Sequence, residues 1–180
     1  MRFNKLTGSV LFGAIALTGT LEGLQNEPYQ DTGGVWTVCF GETDGVEPGQ
    51  KYTDEQCAMM LASSLGYHNK PLEELNYQLP ANVHIAALDF SYNLGTNAIR
   101  HSTLYRKLRQ QDIDSACLEF NRWVYVGHKD CRKRENHCIG IPKRRRIETQ
   151  LCMGQISVKD ALLELGQIPS DSEIIHDMAQ

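Results

Sequence analysis

The chain has 180 residues, 41% hydrophobic and 22% charged, which reads as an ordinary soluble protein. That length is one domain, or one domain with two lobes, with room for a real core. Net charge is −4 but unevenly spread: residues 1–99 hold four Lys/Arg and eleven Asp/Glu, residues 100–157 thirteen and six, and residues 158–180 one and five. The basic stretch reads either as solvated helix faces with internal ion pairs or as an attraction to an anionic polymer. No nucleic-acid motif accompanies its arginines, so nucleic acid is not expected as a partner.

Met1 to Lys5 is short and basic and precedes an uncharged run, Leu6 to Leu21. As a helix that run spans about 24 Å, short of the roughly 30 Å hydrocarbon core of a bilayer. Three Gly and three Thr dilute it further. One reading is a cleaved signal peptide, with Ala14-Ile15-Ala16 as a small-x-small site. Another is the first helix of the fold, expected over residues 8–25, with Glu22 where the apolar stretch ends.

Residues 29–44 are rich in Gly and β-formers and predict a small hairpin. Asp31 falls in its turn, and Thr37 in the run Val35-Trp36-Thr37-Val38-Cys39-Phe40. Two carboxylates on different elements can have different environments. Splitting an acid from a base by environment is how one site cleaves a glycosidic bond near neutral pH. Burial would raise the pKa of Glu22 and suit it to a general acid. A polar turn would keep Asp31 ionised, and the Thr37 hydroxyl could hold a water. The bland alternatives are a surface acid at a helix end, where the dipole disfavours it, a turn-forming Asp and a β-branched strand residue.

Further along, Thr53 resembles an N-cap with an acidic first turn, opening a helix to about Tyr67. Cys57, Met60, Leu61 and Leu65 recur in it at helical spacing. Pro71 opens a short turn. Pro80 precedes a helix with Val83, Ala86, Ala87, Phe90 and Leu94 on one side, stopped by Gly95. Ser102-Thr103 starts a helix ending near Gln110. Asp112 caps the next, through Trp123, which is expected in the core. Residues 127–141 form a basic loop, Pro142 starts a helix to about Met153, and Ser157 caps a last one to Leu165. Pro169 onward is polar and acidic.

Six cysteines, an even number, favour disulfides in an oxidising compartment. Fifteen pairings are open. The expected ones are Cys131–Cys138, closing a short loop, Cys39–Cys57, tying hairpin to helix, and Cys117–Cys152, tying helix to helix. The cluster His128, Cys131, His137 and Cys138 raises a metal site as a rival, but its spacing is not that of a zinc knuckle, so no metal is expected.

The spacing Glu22, eight residues, Asp31, five residues, Thr37 resembles the catalytic signature of the phage-type lysozymes, glycoside hydrolase family 24. So do Tyr29-Gln30-Asp31 and Gly34-Val35-Trp36-Thr37. Two further stretches match in order: Ser91-Tyr92-Asn93-Leu94-Gly95 with Ser102-Thr103-Leu104, and Asn121-Arg122-Trp123 with Arg144-Arg145-Arg146-Ile147-Glu148. The resemblance spans roughly residues 8–155. The chain departs from the pattern at Cys131 to Cys138 and after residue 157.

The resemblance implies an α+β protein, a mainly helical lysozyme-like fold with a small β-hairpin lobe and a catalytic cleft between two lobes. It implies an N-terminal export or anchor segment over 1–21 merging into the first helix, a catalytic domain over 22–155 and an acidic extension over 156–180. It also implies catalysis by Glu22, Asp31 and Thr37, with inversion, and sugar contacts from Tyr92, Asn93, Ser102 and Thr103. An ion pair from Arg144 to the catalytic Glu is expected, with Arg145 the adjacent alternative. No cofactor is expected. The implied function is hydrolysis of the β-1,4 bond between N-acetylmuramic acid and N-acetylglucosamine in bacterial peptidoglycan by a monomer, lysing the host. A lytic transglycosylase and a non-catalytic wall-binding module are the rivals. For the N-terminus the resemblance adds a third reading, a signal-anchor-release segment that the host export machinery inserts in the inner membrane and that later slips out into the periplasm.

Overall fold

The computed structural model describes residues 3–31 and 33–166. Met1, Arg2, Thr32 and the chain from residue 167, with most of the expected acidic extension, lie outside them. The uncharged run becomes the first helix, α1 (Gly8–Glu22). Val10, Ala14 and Leu17 are buried on it while Phe12 is 76% exposed, so the apolar character exceeds what the core uses. A methyl at Gly13 would lie 2.6 Å from Ile85 Cδ1, so only glycine lets α1 approach so closely without displacing that side chain. The helix stops at Gly23, whose positive φ of 79° ends it with an N–H to Gly19 O. The sequence reading to residue 25 therefore overshoots, and Gln25 already belongs to a strand. Among the described residues no helix is long and apolar enough to cross a membrane.

The segment before α1 is pinned by one polar side chain. Asn4 is fully buried and left-handed, with φ 55°, a region that Asn tolerates better than most residues. Its Nδ2 donates to Leu72 O at 3.0 Å and Tyr77 O at 2.9 Å, and its Oδ1 accepts from Leu79 N. Its carbonyl accepts from Asn69 Nδ2 at 2.8 Å. The N-terminus is thus tied to a segment about seventy residues away.

Strands β1 (Gln25–Gln30) and β2 (Trp36–Cys39) pair antiparallel, with Tyr29 opposite Thr37 and Gln30 opposite Trp36. A disulfide, Cys39–Cys57, joins this hairpin to α2 (Asp54–His68), whose Thr53 and Gln56 form a complete capping box. After α3 (Lys70–Glu73) comes α4 (Ala81–Leu94), buried continuously from Val83 to Ser91. The expected one-sided pattern gives way because α1, α2 and α8 (Gly140–Cys152) all pack around it. Phe90 meets Phe120 and Trp123 edge to face at 5.2 and 5.3 Å.

The remaining helices are α5 (Thr96–Arg100), which no periodicity announced, α6 (Thr103–Arg109), α7 (Ile113–Leu118) and α9 (Val158–Glu164). A 3₁₀ turn, Glu119–Arg122, takes over where α7 was expected to continue. The supposed loop 127–141 contains most of a second hairpin, β3 (Tyr125–Val126) with β4 (Lys129–Asp130), and a 3₁₀ turn, Arg134–Asn136. Cys117–Cys152 joins α7 to α8, and Cys131–Cys138 closes the segment after the second hairpin. These are the pairs expected, and they bond the cysteines of the supposed metal cluster to each other. The architecture is α+β, mostly helical with two small hairpins.

Candidate active site

Glu22 is the last residue of α1, delivered where the chain turns into the first hairpin. Its side chain is 23% exposed. Arg144 Nη1 donates to Glu22 Oε1 at 2.7 Å, so the expected ion pair falls on Arg144 rather than its neighbour. The same guanidinium grips Asp89 twice, Nε to Oδ2 at 2.9 Å and Nη2 to Oδ1 at 2.8 Å. Asp89 also accepts from Thr18 Oγ1 at 2.8 Å. A planar fork held at three points fixes the Glu22 rotamer, which a lysine could not do.

Asp89 is wholly buried, which alone would raise its pKa, yet Arg144 outweighs the burial and holds the carboxyl below its ordinary value. Burial alone would likewise lower Arg144, but Asp89 and Glu22 keep it firmly charged. Beside it Arg145, fully buried, donates through Nη2 to Asn93 Oδ1 and lies over the Phe90 ring at 5.0 Å. Its Nη1 lies 2.9 Å from Glu148 Oε2 without hydrogen-bond alignment. Burial pushes the Glu148 carboxyl well up. Two adjacent arginines thus each hold one cleft residue from behind, Arg144 holding Glu22 and Arg145 holding Asn93, with Asp89 as the buried counter-charge of Arg144.

Asp31 follows β1. Its Oδ1 accepts from Gly33 N at 2.8 Å and Val35 N at 2.9 Å, an Asx-type turn. Among the described residues nothing donates to Oδ2. Thr37, 4% exposed in β2, donates its hydroxyl proton to Val35 O at 3.1 Å, so its oxygen lone pairs remain to accept.

Glu22, Tyr92 and Asn93 line one cavity of about 320 Å³ with Glu42, Asp44 and His68. Tyr92 OH reaches Phe40 O at 2.9 Å and Glu42 Oε1 at 3.1 Å. Burial, then the nearby Glu42 and Glu22 carboxylates, push the Tyr92 phenol far up. Desolvation raises Glu42 and lowers His68. Asp31, Thr37, Ser102 and Thr103 line neither this cavity nor the other beside Glu22. Ser102 caps α6, accepting from Tyr105 N at 3.0 Å and donating to Ile99 O at 2.7 Å.

Sequence reasoning missed Asp89, Glu42 and His68. A lone acid inside the apolar pattern of α4 was the available signal for Asp89. Glu42 and His68 carry no local signal, because only the tertiary fold brings them to the cleft.

The profile of the family described as phage lysozyme matches residues 19–148. A SAR-endolysin of bacteriophage PS119 is 33% identical over 153 residues, covering 81% of this chain and 87% of that one. A probable prophage lysozyme of Escherichia coli K12 is 34% identical over 146 residues, 74% and 79% of the two chains. The endolysin of Escherichia coli O157:H7 phage FAHEc1 superposes with a TM-score of 0.70 at 22% identity, over 87% of this chain and 98% of that one. The chain belongs to the phage lysozyme family and is a glycoside hydrolase of the lysozyme class.

Proposed function

We propose that this protein is an endolysin that hydrolyses the β-1,4 bond between N-acetylmuramic acid and N-acetylglucosamine and so lyses the host. One observation carries the roles: Glu22 is fixed by Arg144, while Asp31 and Thr37 keep acceptor atoms uncommitted on the neighbouring hairpin. Glu22 gives its proton to the leaving glycosidic oxygen. A water, donating one hydrogen bond to Thr37 Oγ1, attacks the sugar carbon and passes its other proton to Asp31 Oδ2. Attack by water opposite the leaving group inverts the anomeric centre. Tyr92 and Asn93 contact the sugar, whereas Ser102 serves α6 and contributes to the cleft only through it. A transglycosylase would leave Asp31 and Thr37 without a task. Purified protein should clear chloroform-treated Gram-negative cells; unchanged turbidity would sink this reading.

We infer further that the N-terminal run is first tethered in the inner membrane and then released to the periplasm, as the relatives called SAR-endolysins suggest. Two features support it. The run is uncharged yet dilute in hydrophobicity, and its docked form offers Asn4 hydrogen bonds that lipid cannot. Docking places Glu22, so the tethered enzyme lacks its acid. Asn4→Leu should favour lipid and strip the docked state of its anchor, with a stability loss on the order of 3 kcal/mol. More protein should stay in the membrane fraction, and the released form should melt lower. Wild-type protein never found with membranes, or found cut after Ala16, would contradict the tether.

A further inference from the structure

The basic stretch 100–157 finds acid partners for many of its cations. Lys107 and Arg122 share Glu119, Arg132 pairs with Asp130, and Arg146 with Glu164. Arg106 and Arg109 differ. Both are exposed on α6, and among the described residues no carboxylate forms an ion pair with either. They stand three residues apart, on one face of the helix. With Arg100, at the end of α5, they line a cavity of about 330 Å³, together with Tyr105 and Gln110. No acid lines it, and it shares no lining residue with the two cavities beside Glu22.

Arg100 is fixed from behind. Its Nη2 and Nε donate to Glu74 at 2.6 and 3.3 Å. Tyr105 OH, which donates to Pro71 O at 2.7 Å, lies 3.2 Å from the same carboxylate. Glu74 offsets the charge of Arg100, so the excess at the cavity is that of Arg106 and Arg109. Burial pushes the Tyr105 phenol up to about 12, so it stays neutral. The helix dipole favours cations in the last turn of α6, but it does not account for a third arginine brought by α5 to the same cavity.

Guanidinium forks match phosphate oxygens two at a time. A small cavity lined by three of them and no acid suits a phosphodiester better than a neutral sugar. The N-terminal segment points to the source. Tyr77 O accepts from Asn4 Nδ2 at 2.9 Å, while Tyr77 OH donates to Leu108 O at 2.8 Å. One residue thus bridges the point where the chain enters the fold and the residue before Arg109. We propose that the cavity lined by Arg100, Arg106 and Arg109 binds the phosphate of anionic phospholipid headgroups, holding the released enzyme at the bilayer surface. The chain as a whole carries a net charge of −4 and is repelled by such a surface, so the attraction has to come from a local cluster. The choice of lipid as the source rests on the tether reading above; the phosphate site does not.

The test sediments purified full-length protein with vesicles of phosphatidylcholine alone, or with about a third of phosphatidylglycerol. Wild type should partition to the anionic vesicles about tenfold or more better than to the neutral ones. R106A/R109A removes two exposed, unpaired side chains, so its melting curve and its hydrolysis of sacculi should match wild type. Its partitioning to anionic vesicles should fall about tenfold or more, since each basic side chain at such a surface is worth roughly fivefold. K133A/R134A removes the same charge from the exposed segment after the second hairpin and should lose less than about twofold. Equal partitioning to the two kinds of vesicle would mean that the apolar run, rather than phosphate, draws the protein, and would overturn the proposal. Equal losses in the two variants would overturn it too, as would a tighter hold on inorganic phosphate or single-stranded DNA than on anionic vesicles. Failure of the tether reading would show in cell fractionation and not in this assay.

Discussion

Glu22→Gln should lower peptidoglycan hydrolysis by about 10²–10⁴-fold while leaving the melting temperature within a few degrees of wild type. The amide keeps the shape of the side chain and can still accept from Arg144 Nη1, now 2.7 Å away, but it has no proton to give. The loss should fall on kcat, because the proton moves only in the transition state. Asp31→Asn should also be severe and Thr37→Ala milder, since one removes the base and the other only loosens the water. Near wild-type turnover by Glu22→Gln would remove the acid from the scheme.

Arg144→Met should be the most destabilising of the single changes considered, at about 3–5 kcal/mol. It leaves Asp89, which is wholly buried, facing Glu22 and Glu148 with its cation gone. Activity should fall too, because Glu22 loses the contact that fixes it. The pH dependence follows from Asp89, whose folded carboxyl is held below its ordinary value of 3.8. A depressed acid contributes stability that is present above the unfolded value and is lost as pH falls through the folded one. The deficit of Arg144→Met against wild type should therefore be full at neutral pH and shrink below about pH 4. Denaturant titrations at pH 7 and pH 3 measure it. An equal deficit at both would mean that packing of the Arg144 stem, rather than its charge, carries the effect.

What could be read along the chain depended on how local its cause is. The capping box at Thr53, the Ser102 and Ser157 caps and the Gly95 stop depend on neighbours in sequence and lie where expected. The first helix was read too long because Gly23 looks like any helical glycine until its φ is known. The second hairpin was invisible because two-residue strands hold too few residues for an alternating pattern, and its exposed Tyr125 and Val126 have no buried face. For the candidate site, the sequence offers the spacing that proposes Glu22, Asp31 and Thr37 together. The buried Asp89–Arg144 contact was not legible, since an acid on α4 and an arginine on α8 are chosen for each other across more than fifty residues. Ser102 was read as a sugar contact from its place in a motif, and the structure finds its hydroxyl capping α6 through Tyr105 N and donating to Ile99 O of α5.

The central claim is that a water, placed by Asp31 and Thr37, ends the reaction begun by Glu22. The most direct measurement is the chemistry of the new chain ends when the purified protein digests peptidoglycan sacculi, read by mass spectrometry of the released fragments. Hydrolysis leaves N-acetylmuramic acid as a free reducing end that has gained the elements of water. Fragments ending in anhydromuramic acid would contradict the account, because they form only when the sugar's own hydroxyl, rather than a water held on the hairpin, attacks.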